Sequence, residues 1–195
     1  MDVLAAELLF VSDYLESYGK SILPETQARA VIQLLTYLNR FELYQNYPNP
    51  ALESKIHEFS SGISVATPGT QENWYRETMI RSYLKGNNDL FQENRSQLLR
   101  VLNEHGQELT EDFKDGVMSF YDGVLACIQK NPQMAKGSLE IATKKLASYP
   151  RLATDFFGGD LNILLIGKGM EDPNGCRQML NDLLVTGMGV NNGRN

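Results

Sequence analysis

The segment TEDFKDGVMSFYDGVLACIQKNPQMAKGSLEIATKKLAS, residues 110–148, contains two helix patterns joined by a short turn. Apolar residues from Phe113 to Ile128 recur at intervals of three and four, which places them on one face of a helix. Thr110 precedes two acids, an arrangement typical of a helix start. Asn131 and Pro132 supply a cap and a first-turn proline for the second helix. Its predicted core residues are Met134, Leu139, Ile141 and Leu146.

Two glycines lie seven residues apart within the first of these helices, Gly116 and Gly123. An interior glycine destabilises a helix by roughly 0.5 to 1 kcal/mol relative to alanine, so two of them require a reason. The favoured reason is the close approach of another helix. The alternative is that the glycines leave room for a ligand.

The same periodicity predicts helices over most of the remaining chain, at about residues 3–18, 24–44, 50–61, 71–84 and 89–106. The first helix has a stripe formed by Leu4, Leu8, Val11, Leu15 and Tyr18. Phe10 and Tyr14 flank this stripe, so we expect the helix to be buried on more than one side. Asp89 and Gln92 form a capping-box pattern. Residues 62–70 are the one plausible extended piece in the first half.

These patterns predict an all-α protein with a single globular helical domain over residues 1–187. We expect roughly seven to nine helices, arranged as an antiparallel bundle or as stacked helix pairs. Residues 188–195 lack apolar periodicity and are predicted to form a flexible polar tail.

The stretch GGDLNILLIGKGMEDPNG, residues 158–175, raises the question of a phosphate-binding loop. Such a loop needs a glycine five positions before the one that precedes Lys168, and a hydroxyl residue after the lysine. Asn162 and Gly169 occupy those positions, so both requirements fail. The run Leu161 to Ile166 is better interpreted as a buried helical turn or two, with a lone strand as the alternative.

The residues that carry most enzyme chemistry are scarce. A carboxylate-bridged dimetal site would need glutamate three positions before each histidine, but Ser54 precedes His57 and Leu102 precedes His105. We therefore predict no metal, no cofactor and no catalytic residue. Cys127 is expected to be a small buried apolar side chain. Cys176, in the first turn of a predicted last helix, has no visible purpose as a reactive thiol.

Charge and hydropathy exclude two further classes of partner. The formal net charge is -6, and the basic residues of residues 76–100 alternate with glutamates, so we predict no nucleic-acid binding. The chain contains no run of about 18 apolar residues, so no membrane insertion is expected. Neither cysteine belongs to a paired motif, which fits a reducing compartment and predicts a cytoplasmic location.

Aromatic residues give the one functional indication. Tyr44, Tyr47, Trp74 and Tyr75 lie near proline-rich or irregular segments, and such side chains often anchor partner contacts. The sequence predicts a non-catalytic protein–protein interaction module, such as an adaptor, regulator, chaperone-like or assembly subunit. Its partner would be another protein or a second copy. The alternative is a helical bundle that binds or acts on an apolar small molecule.

Overall fold

The computed structural model describes residues 3–19, 21–45, 50–106, 109–153, 155–157 and 178, and within them every regular element is helical. The predicted all-α fold is confirmed. Residues 158–175, the predicted tail 188–195 and Cys176 lie outside the described residues. The α-helices are α1 (Val3–Tyr18), α2 (Pro24–Gln45), α3 (Pro50–Phe59), α4 (Pro68–Lys85), α5 (Asn88–His105), α6 (Glu111–Ile128) and α7 (Pro132–Leu146).

The predicted hairpin is the closely packed pair α6 and α7. A Cβ atom added at Gly123 would lie 2.6 Å from Leu139 Cγ, and one added at Gly116 would lie 3.0 Å from Leu146 Cγ. Both glycines are therefore explained by the approach of α7. The alternative that they leave room for a ligand is wrong.

Two predicted core residues of α7 are exposed instead. Met134 is 52% and Ile141 51% exposed, whereas Leu139 and Leu146 are buried as predicted. The buried stripe of α7 is completed by Ala135 and Ala142. Small side chains let α7 lie close to α6, and because the contact is on one side, the larger residues on its other side face solvent.

The turn after α4 and the turn after α6 close with the same hydrogen-bond pattern. After α6, Asn131 N donates to Ala126 O at 2.9 Å and Lys130 N donates to Cys127 O at 3.1 Å, which is a Schellman motif. Lys130 adopts the left-handed conformation there, with φ of 56°. Gly86, with φ of 65°, has this role after α4.

The predicted helix caps are confirmed at two starts and wrong at one. Thr110 Oγ1 accepts from Phe113 N at 3.2 Å, and Asn131 Oδ1 accepts from Met134 N at 3.1 Å. At α5, however, the cap is Asn87, whose side chain accepts from Leu90 N at 3.1 Å, rather than Asp89. The two-residue turn after Lys85 starts α5 earlier than the capping-box pattern predicted.

The segment 62–70, predicted to contain an extended piece, is mostly helical, and only Ala66 and Thr67 have extended backbone. A 3₁₀ helix, Ser60–Val65, follows α3 directly, and α4 begins at Pro68. Gln71 Nε2 donates to Ala66 O at 3.0 Å and to Ser64 O at 3.3 Å. These bonds satisfy carbonyl groups that a strand would have to pair with a neighbouring strand.

Trp74 of α4 lies where the separate parts of the core meet. One cluster is formed by α1, α2 and α3, and includes Leu15, Leu34 and Leu38, each with no exposed surface. The larger cluster is formed by α4 to α7 together with Ala153, Phe156 and Phe157. Trp74 packs against both of these and against a small third cluster around Ile63. The side chain therefore connects the amino-terminal helices with the rest of the core.

Candidate functional site

α1 carries apolar side chains on its outer side as well as its inner side. Val11 and Leu15 are buried, as their spacing predicted. Phe10 is 73%, Tyr18 57% and Leu9 51% exposed, so the prediction that Phe10 and Tyr18 are buried is wrong. α1 packs against α2 and α3, and these two helices cover one side of it. The outer side is left to solvent.

Three aromatic residues follow one another along this outer side at intervals of four. Phe10, Tyr14 and Tyr18 span about 12 Å of helix axis, because each residue advances an α-helix by about 1.5 Å. The Tyr14 and Tyr18 ring centroids are 5.6 Å apart, and Tyr14 is half-buried. Together with Leu9 we call these residues the α1 aromatic face. Exposed apolar residues that are contiguous on one helix are typical of an interaction surface.

Acidic residues accompany this face. Residues 1–19 contain four acidic residues, Asp2, Glu7, Asp13 and Glu16, and neither lysine nor arginine. Asp13 is exposed. Lys55 of α3 donates from Nζ to Glu16 Oε2 and to Ser12 Oγ, both at 2.8 Å, and the bond from Lys55 lowers the pKa of the Glu16 carboxyl. Lys55 therefore links α1 to α3 through Ser12 and Glu16. It does not contact Asp13, whose charge remains on the outer side of α1.

An open apolar pocket of about 250 Å³ lies beside Trp74. It is formed where α2, α3, α4 and the start of α5 come together, so the sequence pattern of one helix alone could not predict it. Its apolar walls are Leu35, Leu38, Ile56, Trp74 and Leu90, and its polar lining residues are Glu53, His57, Ser60, Thr78 and Arg81. We call it the Trp74 pocket.

Four of the five polar side chains that line the Trp74 pocket, those of Glu53, Ser60, Thr78 and Arg81, have partners within the protein. The Arg81 guanidinium, which is buried, forms an ion pair with Glu53. Thr78 Oγ1 donates to Trp74 O at 2.9 Å, and Ser60 Oγ donates to His57 O at 2.9 Å. The pocket therefore has a neutralised cation and satisfied hydroxyl groups within mainly apolar walls.

The four residues predicted to contact a partner are placed differently from one another. Tyr75 is buried in the larger core cluster, and Trp74 is half-buried between clusters. The side chain of Tyr44, which belongs to α2, and all of Tyr47 lie outside the described residues. Their role in partner binding stays a prediction. Sequence reasoning missed the α1 aromatic face as a candidate site. The sequence did indicate it, because α1 has apolar residues around most of its circumference.

The half-buried carboxylate of Glu25, on α2, holds the start of α4 in place through hydrogen bonds. It accepts from Thr67 N at 2.8 Å and from Thr70 Oγ1 at 2.7 Å, and Arg29 Nε donates to it at 2.8 Å. The bond from the Thr67 amide, followed by those from Thr70 and Arg29, lowers the Glu25 pKa to about 2. Because Glu25 accepts from the amide of Thr67, the cap residue of α4, it acts as a cap supplied by another helix.

No arrangement typical of a metal site occurs among the residues that the structure describes. His57 is exposed beside the Trp74 pocket, and His105 lies 3.8 Å from Glu104 at the exposed end of α5. That neither histidine is a metal ligand stays a prediction.

Cys127 is buried, as predicted, but it is disulfide-bonded. The sequence contains one other cysteine, Cys176, outside the described residues. Disulfides persist mainly in oxidising compartments. The cytoplasmic location stays a prediction.

Arg76 of α4 and Arg95 of α5 contact acidic or aromatic groups. Arg76 forms an ion pair with Glu72 at 3.4 Å and lies 4.4 Å from the centroid of the Phe156 ring. Arg95 Nη2 donates to Asp122 Oδ2 at 2.7 Å. These contacts hold the basic side chains against the protein, although the absence of nucleic-acid binding stays a prediction.

Within the described ranges, no helix combines the length and the apolar character needed to cross a bilayer. The sequence matches no known family model, and neither a curated protein nor a solved structure shows detectable similarity to it. A function has therefore to be inferred from the geometry of the two surfaces described above.

Proposed function

We propose that this protein is a non-catalytic interaction module, and that the α1 aromatic face binds a basic amphipathic helix of another protein. The observation that carries the proposal is the exposure of Phe10, at 73%, in the middle of an apolar surface on an otherwise acidic helix. Tyrosine and phenylalanine offer large contact areas with few rotatable bonds, so they anchor interfaces well.

Charge complementarity selects the partner. The acidic residues of α1 lie on the same helix as its exposed aromatic residues, and lysine and arginine are absent from residues 1–19. A second copy docked through α1 would therefore bring acids against acids, which disfavours self-association. A helix with leucine-like residues on one side and lysine or arginine at the flanks would complement both the apolar area and the charge.

Phe10 sets the expected magnitude. Burying a phenylalanine side chain completely contributes about 1.5 to 3 kcal/mol, and Phe10 already has part of its surface covered. Phe10→Ala should thus weaken binding by about 1.5 kcal/mol, which corresponds to roughly tenfold. The free energy of unfolding should change little, since substitutions at exposed positions are usually within about 0.5 kcal/mol.

The test uses two synthetic amphipathic helices with identical leucine faces, one flanked by lysine and its twin flanked by glutamate. Fluorescence anisotropy of the labelled peptides measures binding to the full chain. The lysine peptide should bind at least tenfold more tightly than the glutamate peptide, and added salt should weaken its binding because surface charges are screened. Equal binding of both peptides would contradict the proposed partner chemistry.

Matched variants locate the binding surface. Phe10→Ala and Asp13→Lys should each reduce binding of the lysine peptide. Ile141→Ala removes an exposed apolar side chain from α7, and Glu93→Lys reverses an exposed charge on α5, so both should bind as the unmodified protein does. If the α7 and α5 variants lose as much affinity as the α1 variants, the peptide recognises general acidity and the α1 aromatic face is not the site. Sedimentation of the unliganded chain as a dimer that Phe10→Ala dissociates would instead assign the face to self-association.

The cytoplasmic location predicted from the sequence is not needed for this interaction. Extracellular and intracellular partners can both present a basic amphipathic helix.

A further inference from the structure

We propose that the Trp74 pocket is a binding site for an uncharged aromatic molecule of one or two rings. This site is separate from the α1 aromatic face: Phe10 and Tyr18 do not belong to its lining. The sequence left an apolar small molecule as an alternative ligand. The Trp74 pocket lies away from Gly116 and Gly123, the glycines first considered for it.

The size of the pocket limits the ligand. Its volume of about 250 Å³ is just below the range of roughly 300 to 1,000 Å³ that holds drug-sized molecules. An apolar cavity of about 150 Å³ is already enough for benzene. A single ring or a pair of fused rings therefore fits, while a sterol or a long acyl chain does not.

The lining chemistry selects an uncharged molecule. The basic residues of the lining are Arg81 and His57; Glu53 pairs with the buried Arg81, and His57 is exposed. The hydroxyl groups of Thr78 and Ser60 donate hydrogen bonds to main-chain oxygens. An anionic ligand would have to compete with Glu53 for the guanidinium, and a cationic ligand would meet that guanidinium, so neither charge is favoured.

Trp74 supplies the specific contact. Its indole lies in the wall of the pocket beside aliphatic residues such as Leu38 and Ile56, and a planar ligand could pack offset or edge-on against it. The pocket walls come from α2, α3, α4 and α5, so a bound molecule would link the amino-terminal helices to α4 and α5. Ligand binding should consequently raise the thermal stability of the whole chain.

The probe is 2-acetylnaphthalene, an uncharged two-ring ketone, compared with 2-naphthoate, which has nearly the same shape and one negative charge. Trp74 is the single tryptophan of the sequence, so its fluorescence reports directly on the pocket. The ketone should quench Trp74 emission saturably at one molecule per chain and raise the melting temperature. The carboxylate should bind at least tenfold more weakly. The absence of saturable quenching, or equal binding of the carboxylate, would overturn the proposal.

Two neighbouring serines provide a matched pair of variants. Ser60 lines the pocket and is half-buried, whereas Ser61 is exposed and outside the lining. Ser60→Phe should fill the opening and weaken binding of the ketone at least tenfold, while Ser61→Phe should bind it normally. If Ser60→Phe fails to fold, Leu90→Phe fills the pocket from α5 and has the same expected effect. Unchanged affinity in a folded pocket variant would refute the site.

The two proposals can fail independently. Phe10→Ala should weaken peptide binding roughly tenfold and leave quenching by 2-acetylnaphthalene unchanged. Ser60→Phe should do the reverse. A protein that binds the ketone but no peptide would retain this inference and lose the interaction proposed for α1.

Discussion

Adding a methyl group at Gly123 tests the close contact between α6 and α7. The new Cβ would lie 2.6 Å from Leu139 Cγ and 2.7 Å from Leu139 Cδ2, whereas carbon atoms attract each other best at about 3.5 to 4.0 Å. Leu139 is 3% exposed and packed in the main core cluster, so it has little room to withdraw. Overpacking of this kind costs about 1 to 3 kcal/mol.

A second glycine provides the reference for Gly123→Ala. Gly137 lies on the exposed side of α7, and a Cβ there would meet no atom within 4 Å. Gly137→Ala should therefore stabilise the protein by about 0.5 to 1 kcal/mol through helix propensity alone. Gly123→Ala gains the same stability from helix propensity. The difference between the free energies of unfolding of the two variants therefore gives the steric cost alone. We expect Gly123→Ala to be less stable than Gly137→Ala by about 1 to 3 kcal/mol.

Urea denaturation followed by far-ultraviolet circular dichroism measures both free energies of unfolding. Gly116→Ala should fall between the other two variants, because its Cβ would be 3.0 Å from Leu146. In a double-mutant cycle, Leu139→Ala should absorb most of the cost of Gly123→Ala by vacating the space it needs. If Gly123→Ala stabilises the chain as much as Gly137→Ala, then α7 does not approach α6 at this position and the packing described here is wrong.

Two further predictions concern helix ends. The folded-state pKa of Glu25, about 2, is below its ordinary value of 4.5, so its contribution to stability is complete above pH 4.5 and is lost as the pH falls toward 2. Glu25→Gln should flatten the decrease of melting temperature over that interval; an unchanged pH profile would show that the carboxylate does not cap α4. Lys130 has a left-handed conformation that costs a non-glycine residue roughly 1 to 2 kcal/mol, so Lys130→Gly should stabilise the chain by up to about 1 kcal/mol. Gly86→Ala, at the equivalent turn position, should destabilise it by about 1 kcal/mol in the same denaturation assay, and the opposite order would refute both turn assignments.

The sequence predicts the helical elements well because their signals are local. The caps at Thr110 and Asn131 and the stripe from Phe113 to Ile128 depend on residues within one or two helical turns of each other. Gly116 and Gly123 also indicated a close neighbour correctly, since a costly residue in a helix interior needs a packing reason.

The errors have a common cause. Tyr18, Met134 and Ile141 have the spacing of core residues, and Phe10 flanks such a stripe, but the residues that the structure describes cover α1 and α7 on one side only. Periodicity identifies a stripe of apolar residues without showing how many neighbours a helix has. The excess of apolar residues on α1 was therefore interpreted as burial on several sides, when it marks the exposed candidate surface.

By itself, the sequence determined that this chain is helical and where most of its helices begin and end, because main-chain hydrogen bonds and caps involve residues only a few positions apart. The tertiary structure alone decided which apolar faces are covered, how Glu25 reaches Thr67 from another helix, and where the Trp74 pocket opens. Each of these depends on helices that are distant in the sequence, and the coverage of a side chain is a property of those neighbours rather than of its own segment.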